Sequence, residues 1–192
     1  MATVADSPVL QRHRLTTSDM AQMLAAGILK EDDRIELIEG ELIEMAPIGS
    51  LHAGTVNLLV ARLHAIDPAQ ALLHVQQPLA LSANSLPQPD LALVRPRADF
   101  YRGSHPEPSD VLLVVEVADS SAAYDREYKI PLYARHGIRE VWLVDLIAKR
   151  LLVHRQPRQE FGEYQQITVL HDGVASAEAL PAASIDVTEL LA

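Results

Sequence analysis

The sequence predicts an α/β protein whose mixed central sheet has helices on its flanks. Three apolar, strand-like runs lie between turn-rich segments in the middle of the chain, and segments with helical periodicity precede and follow them. The predicted order is helix, β-ribbon, helix, three strands, helix, strand and a final hairpin. Because strands and helices are interspersed along the chain, this order favours a layered α/β fold.

Two helices are predicted in the first third of the chain. Cap residues at Thr16 to Asp19 and a stop at Gly27 indicate a short helix over about residues 18–26. The second helix is longer, with Ser50 as its predicted cap and Asp67-Pro68 as its stop.

A β-ribbon is predicted between these helices, where RIELIEGELIEM alternates apolar and charged residues around a Glu39-Gly40 turn. The inward-facing side chains are predicted to be Ile35, Leu37, Leu42 and Met45. The acidic side chains are expected to be solvated edge charges, with one of them as a candidate third acid of a metal site: Glu36, Glu39, Glu41 and Glu44.

The middle of the chain predicts three strands, at 71–82, 89–95 and 110–118. A helical segment follows at 121–137, and Pro131 within it either kinks the helix or starts a new one. A buried strand is predicted at 139–146, where Trp142 is expected to be a core residue rather than a base-stacking platform. A hairpin and a short closing segment complete the chain.

The composition is that of a folded protein, with 48% hydrophobic residues in a chain of 192. We expect one domain over 1–192, with residues 1–14 as a flexible tail. No apolar run approaches the roughly 20 residues that span a bilayer, and the first residues lack the pattern of a signal peptide. The expectation is a cytoplasmic protein with no membrane partner.

Charge and residue usage exclude several functional classes. Cysteine is absent, and the eight histidines show no recognised ligand spacing, so disulfides, thiolate chemistry and a zinc site are not expected. The net charge of -10 argues against non-specific coating of nucleic acid. A nucleic-acid function would need a local basic groove, for which the candidates are Arg95, Arg97, Arg102 and Arg126.

A pair of carboxylates is predicted at one edge of the sheet. If the strands at 89–95 and 110–118 are antiparallel neighbours, Asp90 at the start of one lies beside Glu116 at the end of the other. Asp90 continues the apolar row of Ala92 and Val94, and Glu116 continues that of Leu112 and Val114. Two carboxylates in such positions repel each other unless a positive charge lies between them.

Mg²⁺ is the predicted ion, with Mn²⁺ as the alternative, because these cations take oxygen ligands and are held by one or two carboxylates. Lys129 follows in the next helical segment and could orient a water or stabilise charge on phosphorus. Together these groups form a minimal site for phosphodiester hydrolysis.

The segments that carry these residues, in this order, resemble the Uma-two family of restriction-endonuclease-like proteins within the PD-(D/E)XK nuclease superfamily. They are RIELIEGELIEM, SLHAGTVNLL, QPDLALV and VVEVADSSAAYDREYKIPLYARHGIREVWLVD, and the resemblance covers about residues 15 to 190. It implies a restriction-endonuclease-like core with an added N-terminal β-ribbon, and Mg²⁺-dependent endonuclease activity on nucleic acid, with DNA as the first candidate. Cutting both strands of a duplex calls for two sites, so a homodimer is expected.

The resemblance also implies roles for particular residues. Pro89-Asp90 matches the first acidic element and Glu116 the second acid, and the carbonyl of Val117 would complete the metal shell. The lysine usually found two residues after the second acid is missing, because position 118 is Ala118. Lys129 is the candidate that replaces it.

Structural interpretations of the same residues stay open. Lys129 could form a helical i,i+4 pair with Asp125 instead of a catalytic contact. His52 could contact phosphate or water, or be a cap or surface residue. Ser120 could cap the next helix or bond to Glu116.

Three functions therefore compete: a metal-dependent endonuclease, a catalytically silent module that uses the same fold for protein or nucleic-acid interaction, and a hydrolase in which the two acids act as general acid and base. Carboxylates more than about 6 Å apart, with the lysine pointing away, would indicate the third.

Overall fold

The computed structural model describes residues 12–30, 32–119 and 122–192. Most of the predicted tail at 1–14 and the predicted cap Ser120 therefore lie outside the described residues. Arg14, at the end of that tail, is tied to the ribbon, since its Nη1 donates to the Glu39 carbonyl and to Glu41 at 2.8 Å. Among the helices in the described part of the chain, none combines the length and the apolar character needed to cross a membrane.

A six-stranded mixed sheet forms the centre of the protein, with the order β3-β4-β5-β6-β7-β8. Only β5 and β6 are parallel to each other, and the remaining neighbours in this sheet are antiparallel. The strands are β3 (Leu72–Val75), β4 (Leu91–Val94), β5 (Val111–Ala118), β6 (Glu140–Asp145), β7 (Arg150–Arg158) and β8 (Glu163–Leu170). The predicted α/β class with a mixed sheet is confirmed.

The pairing of β4 with β5 is the antiparallel one that the sequence predicted. Leu91 lies opposite Val115, so Asp90, one residue before β4, comes beside Glu116. A bulge between Leu93 and Val94 shifts the register at the far end of the pair. Because of this shift, Leu112 packs with the cluster on the opposite face from Glu116, and its predicted place in the row of Glu116 was wrong.

Helices cover both faces of the sheet and bury its apolar side chains. Helix α2 (Ser50–Leu63) packs Leu59 and Leu63 against a face that contains Trp142, which is fully buried as predicted. On the other face, α4 (Ile130–Arg135) buries Leu132 and Tyr133. The predicted cap of α2 was one residue off, because Gly49 occupies the N-cap position.

The N-terminal ribbon lies between helix α1 (Thr17–Ala25) and the sheet. It consists of β1 (Ile35–Ile38) and β2 (Glu41–Glu44), joined by Glu39 and Gly40, which both have positive φ angles. A side chain at Gly40 would also collide with Arg14, because an added Cβ would lie 2.7 Å from the Arg14 Cβ. One face of the ribbon buries Leu37 against α1, and the other carries Ile38 to the sheet.

Pro131 lies inside a continuous helical stretch and does not start a new helix. The chain passes from a short α-helical turn, α3 (Ala122–Tyr124), through a π-helical turn at Asp125–Lys129 into α4 without a break, since Tyr124, Lys129 and Ile130 all have α-helical backbone angles. Proline has no N–H to donate, so this helix lacks one backbone hydrogen bond at Pro131. The π turn is closed by the Ile130 N–H, which donates to the Asp125 carbonyl.

The strand predicted at 71–82 is shorter than expected. It ends at Val75, because Gln76 has a φ of 49°, in the left-handed region, and its N–H donates to the Asp90 carbonyl. The last elements are a small hairpin of β9 (Val174–Ser176) and β10 (Ser184–Asp186), followed by α5 (Val187–Leu190).

Candidate active site

Asp90 and Glu116 meet at the edge of the sheet where β4 begins and β5 ends. The Asp90 N–H donates to Glu116 Oε2 at 3.4 Å, and the Val117 N–H donates to Asp90 Oδ2 at 2.9 Å. Both residues are buried, with 8% of Asp90 and 2% of Glu116 exposed. The structure thus brings together the two acids that the sequence singled out.

Lys129 points into the same site. Its Nζ lies 2.8 Å from Glu116 Oε1 and 3.1 Å from Glu36 Oε1, and the residue is 3% exposed. Asp125 is buried on the same π-helical turn, and its charge acts on both Lys129 and Glu116. Lys129 is therefore more than a surface partner of Asp125, and it does not point away from the acids.

Glu36 is a further buried acid of the site, and the expectation that it is a solvated edge charge was wrong. It is 1% exposed, because the ribbon lies with this face toward the sheet. Besides its contact with Lys129, its Oε1 accepts a hydrogen bond of 2.6 Å from the Gln88 N–H. The other acids of the ribbon are exposed, as expected: Glu39, Glu41 and Glu44.

Two further polar side chains contact the Asp90 carboxylate. His52, in the first turn of α2, places Nε2 3.1 Å from Oδ2, and Gln76 donates to Oδ1 at 3.2 Å. His52 Nδ1 is buried, and no described residue provides it with a hydrogen-bond partner. The structure thus places His52 in the site rather than on the open surface, whereas Gln76 carries no sequence signal that marks it.

Tyr133 completes the contacts of Glu116. Its hydroxyl donates to Glu116 Oε1 at 2.6 Å, and its ring is fully buried on α4. The sequence analysis did not single out this residue, although its position four residues after Lys129 places both on one helical face.

Burial and excess negative charge shift the ionisation of these groups. Burial, reinforced by the neighbouring carboxylates, raises the pKa of Glu116 from its ordinary value of 4.5 to about 8, although Lys129 opposes the shift. Burial also opposes a charge on Lys129, but Glu116 and the other anionic groups raise the pKa of Lys129 well above its usual value. Lys129 is therefore a permanent cation at neutral pH.

The Asp90 carboxylate is kept ionised by its partners. Burial by itself raises the pKa of Asp90, but the hydrogen bond and the charge of His52, followed by the Val117 N–H and Lys129, lower the pKa below its usual range. The same hydrogen bond to Asp90 raises the pKa of His52.

The oxygen donors of the site fit a hard divalent cation. Glu116 Oε1 is engaged by Lys129 and Tyr133. From the residues that the structure describes, Oε2 accepts only a long hydrogen bond and keeps acceptor capacity beside Asp90. The Val117 carbonyl lies on the same side of β5 as its N–H, toward Asp90. Within the described ranges, no three His, Asp or Glu side chains form a metal-binding group. A cation here would therefore use two carboxylates, one carbonyl and water, which is a Mg²⁺-like set.

The site forms the floor of a cavity of about 230 Å³. Glu36, Asp90, Glu116 and Lys129 line it from below, and the end of the ribbon with the loop before α2 forms one wall. Arg34 and Tyr124 also line this cavity, and neither was singled out as a site residue from the sequence.

The arginines predicted to form a groove are not grouped at this cavity. Arg95 lies five residues beyond Asp90, about 16 Å away along the strand at the usual rise, and donates to the Ser109 carbonyl. Arg97 is paired with Asp99. Arg126 is nearer to the site, and its Nη1 lies 3.8 Å from Asp145. The residues that line this cavity do not include any of the four candidates, Arg95, Arg97, Arg102 and Arg126, and a basic groove formed by them stays a prediction.

The architecture is that of a known nuclease-like fold. The structure is similar to the crystal structure of "a putative nuclease belonging to DUF820" from Anabaena variabilis ATCC 29413, with a TM-score of 0.69 and 14% sequence identity. The similarity covers 92% of this chain and 97% of that chain. At this identity the likeness establishes the fold.

A comparison with family models places the chain more narrowly. The Uma2 family, described as "Putative restriction endonuclease", matches residues 18–188. The protein therefore belongs to the Uma2 family, the Uma-two family that its motifs resemble, and this membership supports a nuclease role. A comparison with curated proteins gave no match.

Proposed function

We propose that this protein is a Mg²⁺-dependent endonuclease of the PD-(D/E)XK type that hydrolyses phosphodiester bonds of nucleic acid. One observation carries the proposal. Asp90, Glu116 and Lys129 converge on the floor of one cavity, and Lys129 Nζ lies 2.8 Å from Glu116 Oε1. A buried site with more carboxylates than cations is costly for the fold, so a chemical role for it is the economical explanation.

Asp90, Glu116 and the Val117 carbonyl would hold the metal ion, with Mn²⁺ as the alternative to Mg²⁺. A bound ion of this kind supplies positive charge for the phosphodiester oxygens and lowers the pKa of a coordinated water. His52 and Gln76 bond to the Asp90 carboxylate and would fix its orientation toward the ion.

Lys129 would act on the reacting phosphate and on the attacking water. Because its pKa is raised, Lys129 stays protonated and cannot serve as the base. It would instead orient the water and stabilise the charge that develops on the phosphate oxygens. As the water oxygen forms its bond to phosphorus, the water loses a proton to bulk solvent. The ester bond to the leaving oxygen breaks, and that oxygen gains a proton from solvent. Glu36 is the second carboxylate in contact with Lys129, and it would help to hold the ammonium group in place.

A cleavage assay on closed circular DNA tests the proposal, because any product from a circle is endonucleolytic. Both supercoiled plasmid and a single-stranded circle should be incubated with the protein and Mg²⁺. We expect cleavage by the wild type, and a loss of about 10²–10³-fold in Asp90→Ala and Lys129→Ala. Lys149→Ala, which removes an exposed lysine outside the site, should cleave like the wild type.

Equal cleavage by all of these variants would contradict the assignment and indicate a contaminating nuclease. Calorimetric titration with Mg²⁺ and Mn²⁺ gives a second readout, because binding should be lost in Glu116→Gln. If neither cleavage nor Glu116-dependent metal binding is found, the silent module becomes the better description, a rival that the net charge of -10 favours.

A further inference from the structure

Two stacked tyrosines lie at the cavity, one lining it and the other exposed to solvent. The rings of Tyr124 and Tyr128 are stacked, with centroids 5.3 Å apart and an interplanar angle of 23°. Tyr124 lines the cavity, whereas Tyr128 is 56% exposed. An aromatic face in water beside the candidate active site is an available partner for a flat apolar group.

The Tyr124 hydroxyl lacks the partner that a buried hydroxyl normally has. Its oxygen is buried, and among the described residues no group is within hydrogen-bond distance of it. Buried polar atoms are nearly always satisfied, so an unpaired one in a cavity calls for a ligand or an ordered water. Burial raises the pKa of Tyr124 to about 12, so the hydroxyl keeps its proton and can donate it to a hydrogen bond.

Part of the cavity lining is apolar. It comes from the chain that leaves the ribbon, and its residues include Ile43, Met45, Ala46, Pro47 and Ile48. The cavity is thus a slot lined by an aromatic side chain, an apolar segment and the charged residues of its floor. A nucleobase attached to a phosphate has the matching chemistry, because its faces are apolar and its phosphate would reach the floor.

The charges around the slot do not provide for a duplex backbone. Arg126 and Arg150 both approach the Asp145 carboxylate, and the Arg34 guanidinium donates to the Ala46 carbonyl. Arg126 and Arg150 are thus paired with an acid, whereas Arg34 keeps its charge at the cavity. With so few cations and a net charge of -10, phosphate neutralisation is a weak source of affinity. Stacking on aromatic side chains is the other general source, and it needs an unpaired base.

We propose that the site takes single-stranded nucleic acid, with an unpaired base next to the scissile phosphate stacked on the free face of Tyr128, whose other face packs on Tyr124. The statement that the bound phosphate is the one cleaved rests on the proposed function. The stacking of a base on Tyr128 rests only on the geometry of the tyrosines. A paired base is stacked between its neighbours and cannot present its face to Tyr128. A single strand therefore fits the slot, and an intact duplex does not.

The experiment is a binding titration with a short fluorescent oligodeoxynucleotide, as a single strand and annealed to its complement, with Mg²⁺ and again with EDTA. We expect the single strand to bind about 10-fold or more tightly than the duplex. Tyr128→Ala should weaken single-strand binding about 10-fold, and Tyr128→Phe should restore it because the stacking face is kept. The slope of log K against log[salt] should be shallow, about -0.7 to -1.4, as for one or two phosphates.

Phe161→Ala is the matched control, because Phe161 is 55% exposed in the turn between β7 and β8 and does not line the cavity; its affinity should be unchanged. Equal or tighter binding of the duplex, no measurable binding of the single strand, or no effect of Tyr128→Ala would overturn the inference. Cleavage of both circles with Tyr128→Ala unaffected would leave the nuclease function standing and refute only the strand preference. Tyr128-dependent single-strand binding without any cleavage would support the strand preference and contradict the nuclease function.

Discussion

Two buried glutamates on neighbouring central strands have opposite surroundings. Glu140, at the start of β6, accepts hydrogen bonds of 2.7 Å from the Trp142 indole, the Arg155 guanidinium and the Glu178 N–H. Glu116, near the end of β5, shares the Lys129 cation with Glu36 and lies beside Asp90. Both are at most 2% exposed, so the difference lies in their partners rather than in their depth.

Glu140 stabilises the fold through its hydrogen bonds, whereas Glu116 is kept in its position by the rest of the fold. The donors around Glu140 come from β6, β7 and the segment after β9, so this side chain joins three parts of the chain. Glu116 faces a cavity, and its raised pKa shows that its environment disfavours its own charge. Such a group costs stability, and a bound cation would relieve that cost.

The largest effect is expected when the Glu140 cluster is broken. Glu140→Ala leaves the Arg155 cation and two N–H donors without their acceptor, and should lower the free energy of unfolding by about 3–5 kcal/mol. Urea denaturation followed by circular dichroism measures this loss.

Two controls set the scale for that measurement. Glu178→Gln, which changes a 71% exposed side chain and keeps the backbone N–H, should cost little. Glu116→Gln should also lower the free energy of unfolding by less than Glu140→Ala does. The reverse order would contradict the distinction between the two glutamates.

The second effect is a pH dependence of stability that belongs to Glu116. Its pKa is 4.5 ordinarily and about 8 when folded, so between these values the folded state binds more protons than the unfolded state. The free energy of unfolding should therefore fall as pH rises, by up to about 1.4 kcal/mol per pH unit. Urea denaturation from pH 5 to pH 8 in EDTA measures the slope.

Glu116→Gln provides the reference for this slope. The raised pKa of His52 also reduces stability as pH rises, but His52 is present in both proteins and its effect cancels in the difference. We expect the free energy of unfolding to depend less on pH in the variant than in the wild type. Equal slopes would show that ionising Glu116 does not destabilise the folded state.

The smallest effect concerns the position of Lys129. Glu36→Gln keeps an acceptor for the Gln88 N–H but removes one of the two charges that hold the lysine. We expect kcat to fall about tenfold, or about 1.4 kcal/mol, with a smaller change in KM, because substrate contacts are retained. Steady-state cleavage kinetics measure the changes in kcat and KM separately.

Glu41→Gln is the control on the same ribbon, since Glu41 is exposed and pairs with Arg14. It should leave both constants unchanged. A rise in KM alone for Glu36→Gln would mean that Glu36 acts in substrate binding rather than on Lys129.

Local patterns were enough to predict the elements that depend on neighbouring residues. Alternation around Glu39-Gly40 predicted the ribbon, and apolar runs bounded by turns predicted β4, β5 and β6. The pairing of Asp90 with Glu116 followed from assuming that β4 and β5 are antiparallel neighbours, an assumption that the register confirms.

Features that depend on contacts between distant parts of the chain could not be predicted from local sequence patterns. Alternation indicates that Glu36 and Leu37 face opposite ways, but not that both faces of the ribbon are covered. Gln76 and Tyr133 reach the site only because β3 lies beside β4 and α4 packs over β5. The absence of these arginines from the cavity lining likewise depends on where the loop after β4 leads, which no local pattern records.

The π-helical turn at Asp125–Lys129 also affects how related sequences should be compared with this one. A π turn holds one residue more than an α turn, and each residue of a helix advances its side chain by about 100°. An alignment that opens a one-residue gap inside this turn would assign the position of the inward-facing lysine to a neighbour on another side of the helix. A relative could then be judged to lack the lysine while carrying it in the same place in space.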